Sequence, residues 1–186
     1  MKKTWIIILA IVVILGLMLA GSYNKMVTMN ESVNGKWSQV ENQLQRRADL
    51  IPNLVSTVQG YASHEKSVLK NISDARSKLV GASGVEEKAA ANDELSNALS
   101  RLLVVVENYP NLKADANFRQ LQDELAGTEN RLAVARMDYN NAVQVYNAKT
   151  KSFPTVIWAR MFGFSEREYF KAEDSAQKAP KVEFDQ

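Results

Sequence analysis

A chain of 186 residues, 46% of them apolar, is long enough to bury one core of ordinary size. Its net charge of +2, with bases and acids interspersed, offers no basic surface for nucleic acid. The lack of cysteine excludes disulfides, thiolate nucleophiles, sulfur-ligated metals and the acylated cysteine of a lipoprotein.

After Lys2 and Lys3, the run from Trp5 through Ile14 to Ala20 carries no charge, and Gly21, Ser22 and Tyr23 extend it to Lys25. That is about the 20 residues needed to cross hydrocarbon at about 1.5 Å each. A cleaved signal peptide competes with this reading, but its apolar core is only about 7 to 15 residues long. Met18 is also bulky where a cut after Ala20 wants a small side chain. The sequence therefore predicts a signal-anchor helix over residues 1–23, with Trp5 and Tyr23 at its two headgroup levels. The leading lysines place the N-terminus in the cytoplasm of a single-pass cell-membrane protein and the remainder outside.

Beyond Lys25 the apolar residues recur at spacings of three and four, without strand-like alternation. The prediction is all-α: a helical bundle domain over 24–173, antiparallel and four-helical with long helices, then a disordered tail over 174–186. The first helix, near Asn24–Ala48, carries Val27, Val33, Trp37, Val40 and Leu44, and Pro52 ends it and starts the next. The second runs to Val80, with Gly81 in the left-handed conformation of a helix end. Ser83 and Glu86 have capping-box spacing and open the third, which presents Leu95, Leu99, Leu102 and Val106 before Pro110. The fourth begins near Asp115, runs to Lys151 and has the clearest stripe: Phe118, Leu121, Leu125, Thr128, Leu132, Ala135, Tyr139, Ala142 and Tyr146. Such a repeat is the seam of a bundle.

With short connections the fourth helix returns to the membrane side, where it meets the apolar segment Phe153–Phe164, containing Trp158 and Phe162. This segment either closes the base of the bundle or lies in the headgroup layer. Gly163, then Ser165 with Glu168, mark the end of one short helix and the start of another.

The elements Tyr23-Asn24, Trp37, Arg46 to Val55 (RRADLIPNLV), Tyr61 to Glu65 (YASHE), Ala75-Arg76, Asn108 to Ala114 (NYPNLKA), Phe118, Glu129 and Ala135 to Asn147 (ARMDYNNAVQVYN) follow in order along most of the chain. Together they resemble the LemA family. The resemblance implies a bacterial single-pass membrane protein with an external helical bundle and no assigned activity. A related branch organises magnetosome membranes, which suggests a membrane-organising role.

For chemistry, the misfit is Glu65, which falls on the second-helix stripe of Leu54, Val58, Tyr61, Val68, Ile72, Ala75 and Leu79. Glu129 falls at the edge of the fourth-helix stripe at a similar height. A di-metal site would need a histidine three residues after each acid, and Val68 and Leu132 stand there. The expected arrangement is instead a partly buried ion-pair network of Glu65, Arg76, Glu129 and Arg136, with Lys36 in reach. His64, the single histidine, reads as a surface or rim residue, and no triad or phosphate loop can be written around it. No cofactor is expected. The sequence predicts a non-enzymatic interaction or envelope-organising module, bound to lipid by its N-terminal helix and to proteins or to itself outside. A ligand-binding or enzymatic domain using the core polar residues, and a membrane-shaping protein using Phe153–Phe164, are the alternatives.

Overall fold

A helix that starts on the apolar run has no reason to stop at its end. In the computed structural model, which describes residues 2–171, α1 extends over Lys2–Tyr61. It is followed by α2 (Lys66–Gly81), α3 (Gly84–Val106), the short α4 (Pro110–Ala114), α5 (Ala116–Lys151) and α6 (Thr155–Met161). The described residues are all helix and loop, as the periodicity predicts. The tail predicted over 174–186 lies outside them.

Several boundaries differ from expectation. Pro52 stands inside α1 rather than ending it. Proline has no N–H to give the carbonyl four residues back, and that carbonyl, on Ala48, instead accepts a 2.8 Å hydrogen bond from Arg76 Nε. The break falls later, at Ala62–Glu65, where the Glu65 N–H turns back to the Ala62 carbonyl. At the α2–α3 junction the left-handed residue is Gly84, at φ +79°, rather than Gly81. The Ser83 N–H is met by the carboxylate of Glu87 at 2.9 Å, one residue beyond the expected Glu86. No helix begins at Ser165: Gly163 turns at φ +77° and the residues after it are extended.

The chain divides into two compact units, each containing a part of α1 and a part of α5. The first comprises the chain up to Gln39 with Met137–Glu168; the second comprises Val40–Arg136 with the chain from Tyr169 on. In the first, Met26, Val33, Tyr139, Val143 and Tyr146 are buried, and Trp37 packs on Tyr139 with ring centroids 5.2 Å apart. The extended residues after Gly163 are held by α5. Asn147 donates to the Arg167 carbonyl and accepts from the Arg167 N–H, both at 2.8 Å, and Tyr139 donates to the Glu168 carbonyl. The Arg167 guanidinium meanwhile donates to the side-chain oxygens of Asn30 and Asn34 on α1.

In the second unit α2 packs against α3, and Leu54, Val58, Leu69, Ile72, Leu95, Leu102, Leu112, Phe118 and Leu132 form the core. Tyr61 is exposed while Ala62, four residues after the buried Val58, and Leu69 are buried, and Ile72, Ala75 and Leu79 of the expected stripe are buried with them. Pro110 occupies the first turn of α4, where its missing N–H costs nothing. Asp115 then starts α5 by accepting the Phe118 N–H at 2.9 Å.

Candidate functional site

Arg47 is the charged residue buried most deeply in the second unit, at 5% exposure. It lies on the same α1 face as Val40, Leu44, Ile51, Leu54 and Val58, all buried, so the periodicity that makes this face apolar carries the guanidinium inward with it. Two neighbours make that burial tolerable. Nη1 donates to Asn92 Oδ1 of α3 at 2.6 Å and lies 2.7 Å from Glu129 Oε2 of α5. Glu129 Oε1 in turn accepts from Arg136 Nη2 at 3.4 Å, and Arg136 also stands over the ring of Phe170, 5.5 Å from its centroid.

The set is incompletely satisfied. Arg47 Nε and Glu129 Oε2 are buried and without hydrogen-bond partners, so the Arg47–Glu129 contact joins opposite charges without an aligned hydrogen bond. Burial pushes the Arg47 guanidinium down from its ordinary value; Glu129 pulls it up, and Arg136 pushes it down again.

Beside this group the second unit opens a cleft of about 550 Å³. Leu54 of α1, Leu99 and Leu103 of α3, and Phe118 and Leu125 of α5 line its apolar walls, and Arg47 and Glu129 line it as well. Leu103 remains 49% exposed.

Of the residues expected to form one polar network, the structure brings Glu129 and Arg136 together and places the other two elsewhere. Glu65 precedes α2, half-buried, and accepts a 2.9 Å hydrogen bond from the Tyr109 hydroxyl. Arg76 is committed to the Ala48 carbonyl. Lys36 pairs with Asp138 at 2.8 Å within the first unit, and His64 is exposed in the turn before α2. Arg47 and Asn92 are not among the residues expected from the sequence, although the register of Arg47 with Val40, Leu44, Ile51 and Leu54 is the same kind of misfit as that of Glu65. Among the described residues no cluster of His, Asp and Glu is suited to hold a metal ion.

In the first unit, no residue of the apolar run from Trp5 to Ser22 is buried, with Trp5 72% and Ile14 57% exposed, and the run is long and apolar enough to cross a membrane. At its end the Tyr23 ring meets Phe162, with centroids 5.1 Å apart, and Phe164, at 5.7 Å. Trp158 is half-buried and Phe153 is 82% exposed.

Residues 36–184 match the LemA family. The chain belongs to that family. The match begins beyond the apolar run, so it rests on the helical remainder, which contains Arg47, Asn92, Glu129 and Arg136, rather than on shared greasiness. This LemA-family chain is 31% identical over 175 residues to magnetosome protein MamQ 2 of Paramagnetospirillum magneticum, covering 80% of the chain and 64% of that protein. It is 29% identical over 174 residues to magnetosome protein MamQ of Magnetospirillum gryphiswaldense, with the same coverage. To protein LemA of Metamycoplasma hominis it is 23% identical over 158 residues, covering 83% of the chain and 71% of that protein. The chain thus spans less than two thirds of its magnetosome relatives. Family membership and the exposed N-terminal apolar helix together mark a membrane-associated helical module.

Proposed function

We propose that this LemA-family chain is a non-enzymatic interaction module tethered in the cell envelope. Its apolar run crosses the membrane once, with Lys2 and Lys3 on the cytoplasmic side, and the helical remainder faces outward. The observation that carries the reading is the open leucine cleft of the second unit. Leu103 is 49% exposed there and Leu99 and Leu125 are half-buried, beside Ser96, Ser100, Gln122 and Asp123, and an amphipathic helix of a partner can lay its apolar face along such leucines. MamQ proteins are named for magnetosomes, and a role in organising membrane structures through protein contacts suits this arrangement.

The test is photocrosslinking in intact cells from a benzophenone amino acid at position 103. The reading expects a discrete protein adduct that disappears when Leu99→Glu charges the cleft. A chain that gives no adduct from position 103 and sediments as a monomer removes it. A reporter on the C-terminus that is active only outside the cytoplasm checks the orientation.

A small-molecule ligand is a second reading, favoured by Arg47 Nε and Glu129 Oε2, which lack hydrogen-bond partners beside a cleft of ligand size. A neutral amphiphile whose head both accepts and donates a hydrogen bond suits those two atoms. Saturable protection of the purified chain against heat by monoacylglycerol, abolished in Leu99→Glu, would favour it over the protein partner.

A further inference from the structure

The α6 segment presents two unlike faces. Thr155 and Ala159, four residues apart, are 2% and 1% exposed and pack into the first unit. Ile157 and Met161 share a different face of α6 and are 46% and 69% exposed. Phe153 just before the helix and Phe162 just after it, at 49%, continue that apolar surface. The only charge on the helix is the exposed Arg160. The segment therefore closes its unit with one face and leaves another apolar and uncovered.

What covers the second face follows from Tyr23. From Trp5 to Tyr23 a helix rises about 27 Å, close to the roughly 30 Å of a hydrocarbon core, so a run anchored at Trp5 brings Tyr23 to the far edge of the lipid. Phe162 and Phe164 touch the Tyr23 ring, and that contact fixes the level of the segment. An apolar surface at that level is next to lipid, with an arginine long enough to hold its charge among phosphates while its stem lies along the chains.

We infer that Phe153, Ile157, Met161 and Phe162 form a second foothold in the headgroup layer of the bilayer that the N-terminal run crosses, with Arg160 directed to lipid phosphate. The inference rests on the membrane-crossing reading proposed above. It gives the first unit two attachments at one level, which restrains tilting about the single span.

The chain has no native cysteine, so single spin labels can be placed at will. Full-length Ile157→Cys and Met161→Cys, reconstituted in phosphatidylcholine–phosphatidylglycerol vesicles, are compared with Ile14→Cys in the span and Val104→Cys, 72% exposed on the second unit. All four positions are exposed, so none of the labels disturbs a core. The expected ratio of oxygen to nickel-chelate accessibility at 157 and 161 is several-fold above that at 104, approaching that at 14. A ratio equal to that at position 104 overturns the foothold. So does a label shielded from both relaxants whose spectrum sharpens on dilution with unlabelled chain, because a second copy would then cover the face. Aqueous exposure at position 14 removes the membrane crossing itself, an outcome distinct from loss of the foothold alone.

Discussion

Arg76 Nε lies 2.8 Å from the carbonyl oxygen of Ala48, the acceptor that Pro52 deprives of its helical donor. A proline within a helix normally costs about 3 kcal/mol, partly through this lost hydrogen bond. Here a side chain from α2 supplies the missing donor, so the same contact repairs α1 and fixes the position of α2 against it.

The repair predicts non-additivity. Arg76→Ala should cost about 1 to 3 kcal/mol, the price of a stranded acceptor plus lost packing. With Pro52→Ala in place, the Ala48 carbonyl regains an N–H from within the helix, and Arg76→Ala should cost appreciably less. A coupling of at least about 0.5 kcal/mol between the two, read from chemical unfolding of the single and double variants, is the expected result. Additive losses would show that Arg76 acts through packing alone.

Glu129 is the counter-charge of a guanidinium that has almost no access to water. Removing one member of a fully buried pair typically costs about 3 to 5 kcal/mol, but the Glu129 side chain is 40% exposed and water can partly replace it. Glu129→Ala should therefore lower stability by about 1 to 3 kcal/mol, and Glu129→Gln by less, since its amide oxygen can still face Arg47. Thermal unfolding of the purified chain decides it; an unchanged melting temperature for Glu129→Ala counts against the pair.

The helical period was readable because burial follows it: Val40, Leu44, Ile51, Leu54 and Val58 on α1, and Phe118, Thr128, Leu132 and Tyr139 on α5, are all buried. What was not readable was non-local. Pro52 looks like a stop when only its neighbours are considered, and nothing near it announces that Arg76 will supply a donor. The break at 62–65 has neither glycine nor proline within it, so a continuous stripe carries Tyr61, Glu65 and Val68 onto the buried face, where the structure buries Ala62 and Leu69, while Ile72, Ala75 and Leu79 are buried as the period expects. The extended path after Gly163 depends on Asn147, 20 residues earlier. Arg47 is the contrary case, since its place on the buried face is visible in the period of α1 alone.

Asp115 gives the second unit a pH-dependent element. The Phe118 N–H, followed by the Tyr61 hydroxyl, holds its carboxyl below the ordinary carboxylate value, and the same contact raises the Tyr61 phenol. A depressed carboxyl contributes stability that is present above about pH 4 and is lost as pH falls through the lower folded value. The raised phenol contributes below about pH 10 and is lost as pH climbs through its folded value. Asp115→Asn should therefore flatten both arms of the stability profile while leaving Tyr61 ordinary in titration. Equal acid and alkaline midpoints in the variant and the native chain would falsify the assignment.

Asn147 is 5% exposed and uses its carboxamide as a splint, accepting the Arg167 N–H with Oδ1 and donating to the Arg167 carbonyl with Nδ2. The pairing imitates a strand partner, which explains why residues that begin like a helix stay extended. Asn147→Ala should expose the Arg167 amide to hydrogen exchange and cost about 1 to 3 kcal/mol, because two backbone groups lose their partner. Asn147→Asp keeps the acceptor and loses the donor, so the Arg167 amide should stay protected while the carbonyl does not. An Asn147→Leu variant separates the splint from simple packing, because it fills the volume but offers no acceptor to the Arg167 N–H: the splint expects exchange at Arg167 as fast as in Asn147→Ala, whereas packing alone expects the protection of the native chain.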